Sequence, residues 1–135
     1  MATTEQGALR VLLVDDDSAV ASARAALLAR AGYRVGVAST PREAEALLDE
    51  RFDLLLVDLR MPGMRGDAFY YLARARQPWL AERTIFMTGD ITTNAEEIVA
   101  QTRRPLLLKP FRAEELLAAV RQVAPQIAKA EDRAS

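Results

Sequence analysis

The stretch FDLLLVD, residues 52–58, sets four consecutive apolar side chains between two acids. Strand side chains point alternately to opposite faces, so a run without polar alternation must be covered on both of them. A parallel strand inside a layered sheet meets that condition. Leu9–Val14, Thr84–Met87 and Leu106–Leu108 are similarly apolar, and helical patterns separate the runs along nearly the whole chain. Such alternation is the mark of successive β-α units joined by right-handed crossovers, and it predicts a doubly wound parallel sheet of five strands with helices on both faces.

The order of elements can be read further. Ser18–Ala31 is expected as a helix with Val20, Leu27 and Ala31 inward and Gly32 as its stop, followed by a second strand at Arg34–Ala38. STPRE offers Thr40 as N-cap, Pro41 at the first helical position and Glu43 to close a capping box, for a helix reaching about Glu50. The third strand is Asp53–Val57, after which Pro62, Gly63 and Gly66 make RMPGMRG a loop. A helix over Asp67–Arg76 presents Phe69, Leu72 and Ala73 to the core. TNAE spells a second capping box at Thr93 ahead of a weaker helix, and Ala113–Val123 closes the fold with Leu116, Leu117, Val120 and Val123 on one stripe. One domain over residues 1–124 is expected, with 125–135 as a tail or linker that loses the apolar pattern.

Composition excludes several classes of function. The 135 residues carry 18 basic and 19 acidic groups, a balance that argues against direct nucleic-acid or membrane-surface binding. Sixteen of the basic residues are Arg, scattered along the chain and read as solubilising, helix-face groups. No apolar run approaches the roughly 20 residues that span a bilayer, and MATTEQGALR lacks the order of a signal peptide, so a cytoplasmic address is expected. With no Cys and no His, there can be no disulfide, thiol nucleophile, Ser-His triad, imidazole metal ligand or phosphohistidine. Any chemistry must run on Asp, Glu, Lys, Arg, Ser, Thr and Tyr.

In a doubly wound sheet, ligands bind at the carboxyl ends of the strands. There the order of elements brings together Asp15, Asp16 and Asp17 from the first strand, Asp58 from the third, Thr88 from the fourth and Lys109 from the fifth. Two charged carboxylates ~4 Å apart repel by about 4 kcal/mol at an effective dielectric of ~20, so VDDDS needs compensation. A solvated loop, a helix N-terminus or a divalent cation would each supply it. Taken singly, each residue has a plain reading: paired acids as turn and cap groups, with Asp17 or Ser18 capping the first helix, Thr88 as a local hydroxyl donor, Lys109 as a solvated charge. Their convergence at one sheet edge points to a site.

Four separated motifs, VDDD, VDLRMPGMRGD, MTGD and LLLKPF, make the chain resemble the receiver domains of two-component response regulators over roughly Leu9 to Val123. The resemblance implies a flavodoxin-like strand order 2-1-3-4-5 and a signalling role rather than an enzyme's. It implies Asp58 as phosphoacceptor in a Mg²⁺-dependent reaction. Asp16 would ligate the metal directly, Asp15 directly or through water, with Asp58 and the main-chain carbonyl of Arg60 completing the protein's share. Thr88 and Lys109 would hold phosphoryl oxygens, and the Lys109–Pro110 bond would be cis. Elementary chemistry agrees, because phosphoryl transfer to a carboxylate needs in-line positioning and positive charge on the transferred oxygens more than covalent help. Lacking His, the chain needs an outside donor: a histidine kinase, a histidine phosphotransfer protein or a small phosphodonor. A downstream output protein or self-association would read the result.

One feature departs from the family pattern, and a second flanks the site. Receivers commonly carry an aromatic residue three before the lysine, where this chain has Leu106. Arg60 and Asp90 flank the site at positions that tend to govern access of hydrolytic water, either as an ion pair or as two solvated charges. Two rival readings stand beside the receiver. A haloacid-dehalogenase-type phosphohydrolase would use Asp15 and Asp17 as its Asp-x-Asp, but Ala19 stands where Thr or Val is expected and no late acidic pair recurs. A receiver-like module acting without phosphorylation finds support only in Leu106.

Overall fold

The computed structural model describes residues 8–89 and 93–124. β1 (Arg10–Val14), β2 (Arg34–Ala38), β3 (Leu54–Asp58), β4 (Thr84–Thr88) and β5 (Leu106–Leu108) form one parallel sheet in the order β2-β1-β3-β4-β5. The helices are α1 (Ser18–Arg30), α2 (Pro41–Leu47), α3 (Gly66–Arg76), α4 (Thr93–Thr102) and α5 (Ala113–Val123). This is the doubly wound parallel sheet read from the alternation of apolar runs, in the flavodoxin-like strand order that the family resemblance implied.

Strand parity sorts the apolar side chains into two cores. Leu12, Val14, Leu55, Val57 and Phe86 face α2, α3 and α4, packing against Ala44, Phe69, Tyr70, Ala73 and Ile98. Val11, Leu13, Leu54, Leu56, Ile85 and Met87 face α1 and α5, packing against Ala21, Leu28, Leu116 and Val120. All five residues of β3 and of β4 are buried, as their lack of polar alternation requires.

Several local details differ from expectation. On α1 the buried residues are Ala21 and Leu28, whereas Val20 and Leu27 are half-buried and Ala31 is exposed. The helix is turned by about one residue from the stripe of large side chains, and the small Ala21 sits against the sheet. Leu72, Leu117 and Val123 are likewise half-buried rather than buried. Helix α2 stops at Leu47, because the next amides tighten into i to i−3 bonds, Asp49 N to Ala46 O at 3.3 Å and Glu50 N to Leu47 O at 3.0 Å. At its start Thr40 Oγ1 accepts from Glu43 N at 3.1 Å, while Glu43 Oε1 accepts from Ser39 N at 2.8 Å, one residue before the expected amide.

A 3₁₀ turn over Pro78–Glu82, unforeseen in the pattern, joins α3 to β4. Before it the buried Gln77 donates to Leu48 O (3.1 Å) and Glu50 O (2.7 Å) and accepts from Phe52 N (2.9 Å), stitching the α2–β3 connection. Gly32, with φ +103°, follows α1 as its expected stop. The Thr93 cap side chain, Asp90 and the 125–135 tail lie outside the described residues.

Candidate functional site

Asp15 directly follows β1, and its amide continues the sheet by donating to Ala38 O at 3.0 Å. Its side chain is fully buried: Oδ1 accepts from Asp17 N at 3.0 Å, and Oδ2 accepts from Arg24 Nη1 at 2.6 Å. Asp16 projects from the next position, exposed, and its carboxylate has no hydrogen bond or ion pair among the described residues. Asp17 turns away to cap α1, accepting from Val20 N at 3.2 Å. That cap takes the second acid of the dehalogenase-type Asp-x-Asp out of the cluster.

Asp58 is the last residue of β3 rather than the first of the loop, because the ladder pairs it with Met87. It is 5% exposed; Oδ1 accepts from Arg60 N at 2.9 Å and Oδ2 from Lys109 Nζ. The close turn after it depends on Gly66, where a Cβ would stand 2.4 Å from Asp58 O and 2.8 Å from Leu59 Cα. Backbone cannot yield to such a clash, so only glycine lets α3 start against the end of β3.

Thr88 ends β4, buried, and its carbonyl accepts from Lys109 N at 2.8 Å, which fixes where β5 delivers the lysine. The Lys109–Pro110 peptide bond is cis. Lys109 Nζ bonds to Asp58 and lies 3.6 Å from Asp15 Oδ2, with its side chain 24% exposed. A cleft of about 710 Å³ opens beside these groups between the β3–α3 loop and α4, bordered by Asp16, Arg60, Thr88 and Asn94.

Asp15, Asp16 and Asp58 each place a carboxylate oxygen within 4.8 Å of the others. Three hard oxygen donors converging beside an open cleft fit Mg²⁺, which takes few protein carboxylates and keeps several waters. The structure thus brings together Asp15, Asp16, Asp58, Thr88 and Lys109 as the order of elements implied. Leu106 is half-buried opposite Phe86, packed on the core beneath α4. Arg60 is exposed at the rim of the cleft; a pair with Asp90 lies outside the described residues.

Sequence reasoning missed Arg24, grouped there with solubilising residues. Its side chain is only 15% exposed, ion-paired to Asp15 and stacked with Cζ 4.5 Å from the Phe111 ring centroid. A signal was present: Arg24 falls between Ala21 and Leu28, at i+3 and i−4 on the buried face of α1. A lone charge within an apolar stripe calls for a buried partner.

The model of the response regulator receiver domain matches residues 11–121. Among curated relatives, the transcriptional regulatory protein DltR of Streptococcus agalactiae is 35% identical over 118 residues, 84% of this chain and 50% of its own length. The alginate biosynthesis transcriptional regulatory protein AlgB of Pseudomonas aeruginosa is 34% identical over 126 residues, 91% of this chain and 28% of its own. The chain therefore spans half or less of the length of these relatives. Among solved structures, the CheY-like receiver domain protein of Methanospirillum hungatei superposes with a TM-score of 0.78 at 27% identity, over 86% of this chain and 93% of that one.

Proposed function

Because the chain belongs to the response regulator receiver family and is a phosphoacceptor domain of two-component signalling, we propose that Asp58 is the residue that takes the phosphoryl group. The observation that carries this reading is the position of its carboxylate at the end of the central strand, bonded to Lys109 and within the acid cluster. Asp15 is fully buried with Oδ2 ion-paired to Arg24 on α1, whereas the lysine that follows β5 makes its main bond to Asp58.

A carboxylate oxygen of Asp58 attacks phosphorus, the P–N bond of a phosphohistidine on a histidine kinase or phosphotransfer protein breaks, and the departing imidazole nitrogen keeps the bond's electron pair. A mixed carboxylic–phosphoric anhydride results. Lys109 supplies a compact cation to a phosphoryl oxygen, and the Thr88 hydroxyl, at the neighbouring strand end, supplies a donor to another. Asp15, Asp16, Asp58 and the Arg60 carbonyl would hold Mg²⁺, which would supply positive charge to offset repulsion between carboxylate and phosphoryl group. Arg60, at the rim, tunes the access of hydrolytic water together with Asp90.

The output is a changed surface read by a downstream protein or a second copy, and the place of action is the cytoplasm, where a kinase can reach it. Among the described residues no helix is long and apolar enough to cross a membrane. The relatives named as transcriptional regulators are at least twice as long as their matched part, so the balanced charge argues against nucleic-acid contact only for these 135 residues. The test is intact-mass analysis after incubation with acetyl phosphate and Mg²⁺. Wild type gains one phosphoryl mass and Asp58→Asn gains none; equal labelling of the two overturns the assignment, and no labelling of either revives a phosphorylation-independent module.

A further inference from the structure

Asp15 Oδ2 is held by two cations at once, Arg24 Nη1 at 2.6 Å and Lys109 Nζ at 3.6 Å, while the main bond of Lys109 is to Asp58. Arg24 is kept in place from three sides. Ala21 and Leu28 anchor α1 on the sheet one turn to either side of it, and Phe111 carries its guanidinium on the ring face. The cluster therefore has three carboxylates and two positive side chains, with Asp16 the one acid left without a partner among the described residues.

On the reading that these acids hold Mg²⁺, we propose that Arg24 is a built-in competitor for the metal, a positioning residue that neutralises Asp15 Oδ2 until a divalent cation displaces it. A cation approaching the cluster meets a guanidinium already bonded to one of its three carboxylates. It must either take that oxygen or bind against the charge, and both weaken it. Arg24 thereby sets the metal concentration at which the domain becomes competent.

Mg²⁺ binding measured by titration calorimetry at fixed ionic strength tests this with Arg24→Gln and Arg24→Lys. Removing the charge is expected to tighten Mg²⁺ by about tenfold, and keeping it in Arg24→Lys to stay within about threefold of wild type. Arg24→Gln also melts lower than wild type without metal and gains more on adding it. A merely structural ion pair would lower the metal-free melting temperature and leave affinity alone, so equal or weaker binding by Arg24→Gln overturns the proposal. Should that variant not fold without metal, exchange of the wild-type Arg24 Nη1 protons with water decides: faster exchange on Mg²⁺ titration supports displacement from Asp15, and unchanged exchange overturns it. Wild type that binds Mg²⁺ while Arg24→Gln binds no tighter sinks only the competitor role. No metal heat in either protein sinks the metal site itself.

Discussion

At the scale of single residues, the three acids of the cluster are unequal in what holds them. Asp15 and Asp58 are buried and paired to cations, while Asp16 is exposed with no partner among the described residues. Removing Asp16 takes away a like charge and breaks no bond. Asp16→Ala should therefore melt slightly higher than wild type in metal-free buffer and lose the stabilisation by Mg²⁺, both visible in paired thermal scans. Lys109 is the opposite case, since its loss leaves the Asp58 carboxylate without its cation. Lys109→Met should lower stability and abolish labelling by acetyl phosphate. Leu106 packs on the core beside Phe86 and, having no polar tip, gains nothing from exposure. With beryllofluoride as phosphoryl mimic, its methyl resonances should change little while the Gly89 amide shifts strongly; a Leu106 that turns to solvent would contradict this.

At the scale of elements, Arg34–Ala38, Leu106–Leu108 and Ala113–Val123 were legible to the residue, because Gly32, Pro105 and Pro110 punctuate the chain beside them. Asp58 and Thr88 were not legible as strand members. A polar residue ending an apolar run reads as loop, and only pairing with Met87 and Leu108 keeps each in its strand. Arg24 was hidden for a related reason, since its partner lies on another element that only the tertiary fold brings near. Gly66 was read as part of a loop, but it opens α3 against the Asp58 backbone. Gly66→Ala should cost about 1–3 kcal/mol in denaturant unfolding, and slow phosphorylation by displacing the strand end it packs on. Gln77→Ala should cost about 2–3 kcal/mol, because it strands the Leu48 and Glu50 carbonyls and the Phe52 amide.

At the scale of the whole molecule, Mg²⁺ binding to the native site alone should stabilise the fold by mass action, about 2.7 kcal/mol at a hundredfold excess over the dissociation constant. A melting curve of wild type that ignores Mg²⁺ would reduce the acids to caps and turns. The sheet itself is uneven in strength: β3 lies at its centre with neighbours on both sides, whereas β5 is three residues long, incompletely buried and, among the described residues, bonded only to β4. An edge this short can detach in a partial opening that leaves the rest of the sheet and all three aspartates intact. In that opened form the site keeps its acids and loses its lysine. Amide hydrogen exchange should accordingly show Leu106–Leu108 exchanging well before Leu54–Asp58, and low denaturant should silence phosphate uptake at concentrations where the core still resists exchange.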